Sequence, residues 1–472
     1  MTATPTTRPL ADELAEFHRT HPRYAATAVL DDLRASDYSR LDATGHVYLD
    51  YTGGSLYAAR QVRTHQEMLL SGVYGNPHSA NPTSALATKL VAQTRERVLR
   101  FFNASPDEYT VVFTSNASGA LKLVGESYPF EAGDQFLLTF DNHNSVNGIR
   151  EFDRAHGAQT TYIPVTLPEL RVDERHLDEY FSLAKPGHNN LFAYPAQSNF
   201  SGVQHPLSWV ARAKAYGWDV LLDAAAFAPT NPLDLTLCKP DYVALSFYKI
   251  FGYPTGIGAL IARRDALVKL HRPWFAGGTI EVASVQADRH VLAIGEAAFE
   301  DGTPNYLMIP AVDHGLDLIE AIGVETIHDR VADLTGWLLD TLTSIRHPNG
   351  APLIRLYGPA GSAARGGTIT MNFYDAGGHV IDHRLVEDKA ATQNISIRTG
   401  CFCNPGAGEM ALGIEKNEIL TCFNQHTGHL TLDDFRMCID GKSTGAVRVS
   451  LGLVSNFADV WAFARFAREF VG

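Results

Sequence analysis

The chain has 472 residues, 45% of them apolar, and a formal net charge of −13 spread without an acidic tail or a basic block. That length and composition provide for a large core, enough for one big domain and a smaller one, and the charge excludes electrostatic attraction to nucleic acid or an anionic membrane. No apolar run reaches transmembrane length, and the N-terminus "MTATPTTRPLADELAEF" lacks a basic region followed by an apolar core, so the expected location is the cytoplasm.

The stretch up to about Gly54 contains "HVYLDYTGG", too apolar for a free tail, and is expected to pack on the folded body. From about residue 109, short apolar runs alternate with longer segments of helical period. "YTVVFTS", "QFLLTF", "TTYIPV", "NLFAYPA", "DVLLDAAA", "YVALSF" and "IGALIA" read as strands, and "ASGALKLVGESY" and "HPLSWVARAKAYG" between them as helices. Such alternation implies crossover connections and a mostly parallel sheet covered on both faces. After about Pro310 the pattern changes. Two amphipathic helices, "YLMIPAVDHGLDLIEAIG" and "ETIHDRVADLTGWLLDTLTSIR", precede strand-like "LIRLYG", "GTITMNFY", "ISIRTG" and "AVRVSLG" and a closing helix, "NFADVWAFARFAREFV". The expected fold class is α/β with a second domain of α+β type.

The strongest chemical signal lies in "DVLLDAAAFAPTNPLDLTLCKPDYVALSFYKIFGYPTGIGALIARR". One buried strand ends in Asp223, the next delivers Lys249, and parallel strands open their carboxyl ends onto a common crevice. A lysine that forms a Schiff base and an aspartate that holds a pyridinium nitrogen are what pyridoxal 5'-phosphate requires. Taken singly, Asp223 reads as a helix cap and Lys249 as a surface lysine; together they point to the cofactor. A phosphate site is expected in "VVFTSNASGALKL", where a strand runs into Ala117 and Ser118 at a helix start. Ser246 and Tyr248 are further donors. His143 in "TFDNHNSVNG" follows a strand end, where an imidazole either lies against a cofactor ring or caps a helix. Asn199 in "PAQSNFSGVQHP" stands where an amide reaches the cofactor's phenolate oxygen.

Five cysteines, Cys238, Cys401, Cys403, Cys422 and Cys438, are a sparse, odd set that argues against a disulfide framework and for a reducing compartment. Two of them share one glycine-flanked loop, "SIRTGCFCNPGAGE". No metal site is expected there, since a Cys-x-Cys without a second close pair lacks the four ligands of zinc. Cys238, Cys422 and Cys438 read as structural.

"SFYKIFGYPTGIGAL", "DNHNSVNG", "RTGCFCNPGAGE" and "GKSTGAVRVSLGLVSNFADV" together resemble the aminotransferase class V, cysteine desulfurase family. Within it they are most similar to the N-terminal, desulfurase-like domain of molybdenum cofactor sulfurases, from "VYLDYTGGSLY" to the last helix. The resemblance implies the pyridoxal-phosphate-dependent transferase fold of type I. It implies a large domain over 55–310 with a mainly parallel seven-stranded sheet, a small domain from 1–54 and 311–472, and a homodimer with the active site at its interface. It further implies that Lys249 holds the cofactor, Asp223 pairs with the ring nitrogen, His143 stacks on the ring and Asn199 contacts the phenolate. Ala117, Ser118 and Ser246 fall on phosphate contacts, and Thr279 on a residue that reaches the phosphate from the neighbouring subunit. Arg448 falls on the arginine that binds the substrate carboxylate.

Cys403 falls on the persulfide-carrying cysteine. L-cysteine or a related amino acid would yield its sulfur to the Cys403 thiolate and leave as alanine, and the sulfur would pass to an acceptor protein or small molecule. Arg398, grouped with Arg448 at the substrate, or the cofactor's surroundings are expected to lower the Cys403 pKa from a free value of roughly 8.5. Gly400 and Gly406 are expected to let the loop swing. Cys401 reads either as a resolving partner or as a small buried residue.

The chain departs from the family pattern at Ala226, where many desulfurases carry Gln, at Tyr248, where they carry His, and at Gly408, in place of a third loop cysteine. It ends where full-length molybdenum cofactor sulfurases continue into a further domain, so the final transfer is expected to need a separate partner. A carbon–sulfur or carbon–selenium lyase, or an aminotransferase-type enzyme of a biosynthetic pathway, is the competing reading on this scaffold. A catalytically dead scaffold is disfavoured by the intact set of Lys249, Asp223, His143 and Arg448.

Overall fold

The computed structural model describes residues 9–425 and 445–472. After helix α1 (Leu10–Thr20) and strand β1 (Val47–Tyr48), two helices, Ala59–Ser71 and Pro82–Phe101, lead into the central sheet. Its strands are β2 (Tyr109–Thr114), β3 (Gln135–Thr139), β4 (Gln159–Ile163), β5 (Asn190–Pro195), β6 (Asp219–Asp223), β7 (Tyr242–Ser246) and β8 (Gly258–Arg263). These are the seven runs read as strands, in the spatial order β2-β8-β7-β6-β5-β3-β4.

Strands β4, β3, β5, β6 and β7 pair in parallel, whereas β8 is antiparallel to both β7 and β2. The sheet therefore has six strands in one direction and one opposed. The β7–β8 connection, 247–257, is shorter than the dozen or so residues that a parallel crossover needs, so the chain doubles back. Every residue of β3, β5 and β7 is buried, as a sheet covered on both faces requires.

Helix α2 (Ala117–Ser127) follows β2, and Asn116 caps it by accepting the Gly119 N–H at 2.9 Å. The single-turn helices α3 (Asn144–Asn147) and α4 (Phe247–Phe251) follow β3 and β7. A hairpin of β9 (Ile280–Ser284) and β10 (Arg289–Leu292) comes next, and the paired helices α5 (Ala311–Ile322) and α6 (Val324–Ser344) lie where the sequence places them.

The later strands are β11 (Ile354–Tyr357), β12 (Thr368–Phe373), β13 (Ile395–Ser396), β14 (Arg398–Gly400) and β15 (Ala446–Ser450), with α7 (Pro405–Leu412) before β15 and α8 (Phe457–Arg468) closing the fold. "ISIRTG", read as one strand, is divided. Its first half, β13, pairs in parallel with β1, and its second half, β14, joins an antiparallel sheet of order β11-β12-β15-β14. The N-terminal stretch is anchored as its apolar content implies: the Phe17 ring of α1 lies 4.6 Å from Phe457, and the buried Arg330 of α6 donates to the Thr27 carbonyl at 2.7 Å.

Cys238 is a buried free thiol, and Cys438 lies outside the described residues. Cys422 is buried and disulfide-bonded; a sparse odd set argues against a framework of bridges but not against a single one. Among the described residues no helix is long and apolar enough to cross a membrane, and no group of three or more His, Cys, Asp or Glu is placed to hold a metal.

Helix α4 is seated by α5. A Cβ at Gly315 would come within 2.2 Å of the Phe251 ring. Gly315→Ala is expected to lower unfolding free energy by up to about 2 kcal/mol in urea titrations, because overpacking at about 1–3 kcal/mol is offset by a helix-propensity gain of only about 1 kcal/mol.

Candidate active site

The carboxyl ends of β2, β3, β5, β6 and β7 open onto one cavity of about 130 Å³. Ala117 and Ser118 line it from the turn after β2, His143 from the turn after β3, and Asn199 from the segment after β5. Asp223 closes β6, and Ser246, Tyr248 and Lys249 surround the end of β7. Strand direction alone thus brings together residues spread over more than a hundred positions.

Lys249 sits on α4, a helix stopped after one turn by Gly252 at φ +80°, whose Cβ would meet the Leu56 backbone at 2.3 Å. Burial lowers the Lys249 amine below its ordinary pKa, against the opposing field of Asp223. Asp223 Oδ1 accepts the Ala225 N–H at 3.0 Å, and among the described residues no donor reaches Oδ2. His143 caps α3 by accepting the Ser145 N–H on Nδ1 at 3.1 Å, so the neutral ring carries its proton on Nε2. Burial first, then the cations of Lys249 and Arg448, hold His143 below the usual imidazole range, while Asp223 pulls the other way.

At the other end the Ala117 N–H donates to Ser246 Oγ at 2.8 Å, and the hydroxyls of Ser118 and Ser145 lie 2.6 Å apart. Hydroxyls and backbone N–H groups at the start of an eleven-residue helix suit a phosphate. The free oxygen of Asp223 suits a protonated ring nitrogen, and the half-buried Lys249 amine suits an aldehyde. The residues present therefore fit pyridoxal 5'-phosphate. Burial raises the Tyr248 phenol above its ordinary pKa, which keeps it a neutral donor.

The cysteine loop is docked against this cavity. Phe402 and Cys403 both take φ +55°. The Asn199 amide donates to the Phe402 carbonyl at 2.7 Å, and the Asn144 N–H to the Cys403 carbonyl at 2.7 Å. Asn404, fully buried, donates to the Asp141 carbonyl at 2.7 Å and to Asn199 Oδ1 at 2.9 Å, and caps α7 by accepting the Ala407 N–H at 3.2 Å. Cys401 and Cys403 are both exposed, so the reading of Cys401 as a small buried residue is corrected. Gly406 is not a hinge: a Cβ there would lie 1.9 Å from the Phe140 carbonyl, so close packing of α7 demands it.

Arg448, buried on β15, donates Nη1 to the Asn199 carbonyl and Nη2 to Asp50 Oδ1, each at 3.0 Å. Its guanidinium stands over the Phe402 ring, 4.7 Å from the centroid. Arg398 is exposed and donates Nε at 3.0 Å and Nη2 at 2.5 Å to Asp50 Oδ2, a bond that raises its pKa. Asp50 thus holds the Arg398 guanidinium. Thr279 is not brought to the cavity; it is buried in its own turn, with Oγ1 bonded to the Ala276 backbone at 2.9 Å.

The sequence reading passed over Asp50, Gln197 and Asn404. The glycine pair that follows Asp50 was the available signal. Gln197 lines the cavity beside Ala225 and Ala226, where the family's expected glutamine is missing.

The family model described as aminotransferase class-V matches residues 47–463. The chain is 39% identical over 460 residues to molybdenum cofactor sulfurase from Bos taurus, covering 93% of this chain and 51% of the relative. It is 37% identical over 470 residues to molybdenum cofactor sulfurase from Solanum lycopersicum, covering 93% and 57%. The chain thus spans about half the length of these curated relatives. Among solved structures, it resembles an apo cysteine desulfurase from Thermococcus onnurineus NA1, with TM-score 0.76, 24% identity and coverage of 93% of this chain and 98% of that one. A cysteine desulfurase from Escherichia coli in the S-sulfonic acid form follows, with TM-score 0.74, 21% identity and coverage of 94% and 99%. These structures share the expected type I fold, and the family model spans both sheets and the cavity at the edge of the central one: the chain belongs to the aminotransferase class V family.

Proposed function

We propose that the chain is a pyridoxal 5'-phosphate-dependent cysteine desulfurase of the molybdenum cofactor sulfurase kind, which moves the sulfur of L-cysteine onto Cys403, releases L-alanine and passes the sulfur to an acceptor protein or small molecule. One observation carries this reading. Lys249, Asp223 and His143 meet at one cavity, and the loop that bears Cys403 is tied to the residues around it by the Asn199 amide on the Phe402 carbonyl and the Asn144 N–H on the Cys403 carbonyl.

When bound, pyridoxal phosphate supplies an aldehyde for an amino group and a ring that accepts electrons from the α-carbon. Asp223 keeps the ring nitrogen protonated through its free oxygen. His143 covers the ring as a neutral imidazole, and the Asn199 amide, with one N–H on Phe402, keeps its second for the phenolate oxygen. Ala117, Ser118 and Ser246 receive the phosphate, with Tyr248 beside them and Thr279 supplied by a second copy. Lys249, its pKa lowered by burial, takes the proton from the substrate α-carbon. Arg448 holds the carboxylate, with Arg398 at the rim. The Cys403 thiolate then attacks the substrate sulfur. A sulfur–sulfur bond forms, the carbon–sulfur bond breaks with its electron pair on carbon, that carbon takes up a proton, and Lys249 returns the α-proton as alanine leaves.

The same reading divides the chain into a large domain, 55–310, and a small one, 1–54 with 311–472. The β1–β13 pairing and the Asp50–Ser450 bridge, which join the two chain ends, support it. A cytoplasmic homodimer is part of the proposal. Val285 at 98% and Ile294 at 94% exposure, on and beside the β9–β10 hairpin near Thr279, suit an apolar contact with a second copy.

Mass spectrometry after incubation with L-cysteine is expected to show one added sulfur on Cys403 and alanine in solution. Cys403→Ser should keep its colour and lose the adduct, and Lys249→Ala should lose at least about 10²-fold in turnover together with the pyridoxyl group that borohydride fixes. Pyruvate or free sulfide formed equally well by Cys403→Ser would assign a lyase instead.

His143 also predicts a pH effect. In the unfolded chain it titrates near about 6.5, and in the native state lower, so the unfolded state takes up its proton first. Its contribution to stability is present above that value and is lost as pH falls through the unfolded and then the native pKa. Urea midpoints from pH 8 to 5 should fall less steeply for His143→Asn than for the parent.

A further inference from the structure

Asp50, at the turn after β1, has no task in the function proposed above, yet it is the most tightly engaged carboxylate near the substrate arginines. Its oxygens are divided, Oδ1 to Arg448 Nη2 at 3.0 Å and Oδ2 to Arg398 Nε at 3.0 Å and Nη2 at 2.5 Å. The turn is shaped around this arrangement. The N–H groups of Gly53 and Gly54 donate to the Asp50 carbonyl at 3.0 and 3.2 Å. A Cβ at Gly53 would lie 2.6 Å from Asp50 Oδ2 and 2.9 Å from Arg398 Nη2, so only glycine leaves room for the pair.

Arg448 is only 4% exposed, and with Nη1 on Asn199 and Nη2 on Asp50 its Nε has no partner among the described residues. A buried guanidinium N–H without an acceptor carries a desolvation cost that a ligand oxygen would relieve. The two guanidiniums and one carboxylate leave this cluster one net positive charge. Lys249 and Asp223, which both act on His143, oppose each other in sign, and the remaining ionisable group that acts on Arg448, the Cys403 thiol, adds no positive charge. One ligand carboxylate neutralises the cluster, and a second anionic group would be left uncompensated in a poorly solvated site.

We propose that Asp50 is a positioning and specificity-determining residue, which fixes Arg448 so that its free Nε receives a ligand carboxylate and sets the cluster's charge for an amino acid with one carboxylate rather than two acidic groups. This rests on the substrate class proposed above. Its test uses 3-mercaptopropionate and mercaptosuccinate, which bear one and two carboxylates and no amine, titrated calorimetrically into the holoenzyme alongside L-cysteine turnover.

In Asp50→Asn the affinity ratio of mercaptosuccinate to 3-mercaptopropionate is expected to rise about tenfold, the scale of one added unit charge at a partly solvated site. The same variant should lose kcat/KM for L-cysteine mainly through KM. Asp50→Glu, which keeps the charge, should hold the ratio near that of the parent. Arg398→Ala removes a side chain that is 53% exposed, leaving the fold intact, and should shift the ratio the opposite way. A purely structural role would weaken both ligands alike, so an unchanged ratio in Asp50→Asn and Arg398→Ala overturns the proposal. Should Asp50→Asn fail to fold, Arg398→Ala alone decides. A ratio that shifts while L-cysteine is not turned over would sink the desulfurase reading and leave the carboxylate site standing.

Discussion

Six strands of the central sheet share one direction, and everything else in the site depends on that constraint. Parallel strands release their following turns on a single edge, so the ends of β2, β3, β5, β6 and β7 meet at one cavity without any motif reaching across the chain. The cost is complete burial: β3, β5 and β7 have no residue in contact with solvent, and helices must cover both faces. The one reversed strand, β8, follows the turn that carries Lys249. A short connection makes the chain double back there, and it holds α4 to a single turn at the mouth of the cavity.

Burying charge at such an edge requires pairing. Two cations, Lys249 and Arg448, have their pKa values lowered by burial, and each faces one carboxylate, Asp223 and Asp50 respectively. The two pairs come from different parts of the chain, the first from the central sheet and the second from the turn after β1 and the β15 strand. The second pair is joined to the cavity's wall by the Arg448 bond to the Asn199 carbonyl. His143, neutral and with its proton directed by a backbone bond, adds a polar surface between them without adding charge.

The cysteine loop shows how strain is held. Left-handed backbone at two successive residues with side chains costs roughly 1–2 kcal/mol each, and Phe402 and Cys403 both adopt it. Asn199 and Asn144 fix the loop through its carbonyls, its own buried Asn404 anchors it by donating to the Asp141 carbonyl and Asn199 Oδ1, and the Phe402 ring is held between Phe200 and the Arg448 guanidinium. The thiol of Cys403 is left exposed while its backbone is clamped. Loop glycines serve different ends: Gly400 at φ +108° supplies a turn, whereas Gly406 supplies proximity.

The sequence by itself determined the seven strands, their largely parallel pairing, and the Asp223 and Lys249 pair, because apolar period and strand-end position are local properties that survive without knowledge of neighbours. It also marked Ala117, Ser118, His143, Asn199, Ser246 and Tyr248, each at or just beyond the end of a strand. It did not reveal the helices before residue 109, the division of "ISIRTG" between two sheets, or the partners of the arginines. Only the tertiary structure decided that Arg398 belongs to Asp50, that Cys401 is exposed, that Gly406 is a packing residue, and that Thr279 lies away from its own chain's cavity. The reason is physical: Asp50 and Arg398 lie some 350 positions apart, and a contact of that kind has no periodicity to betray it, since it exists only after β1, β14 and β15 have been brought side by side.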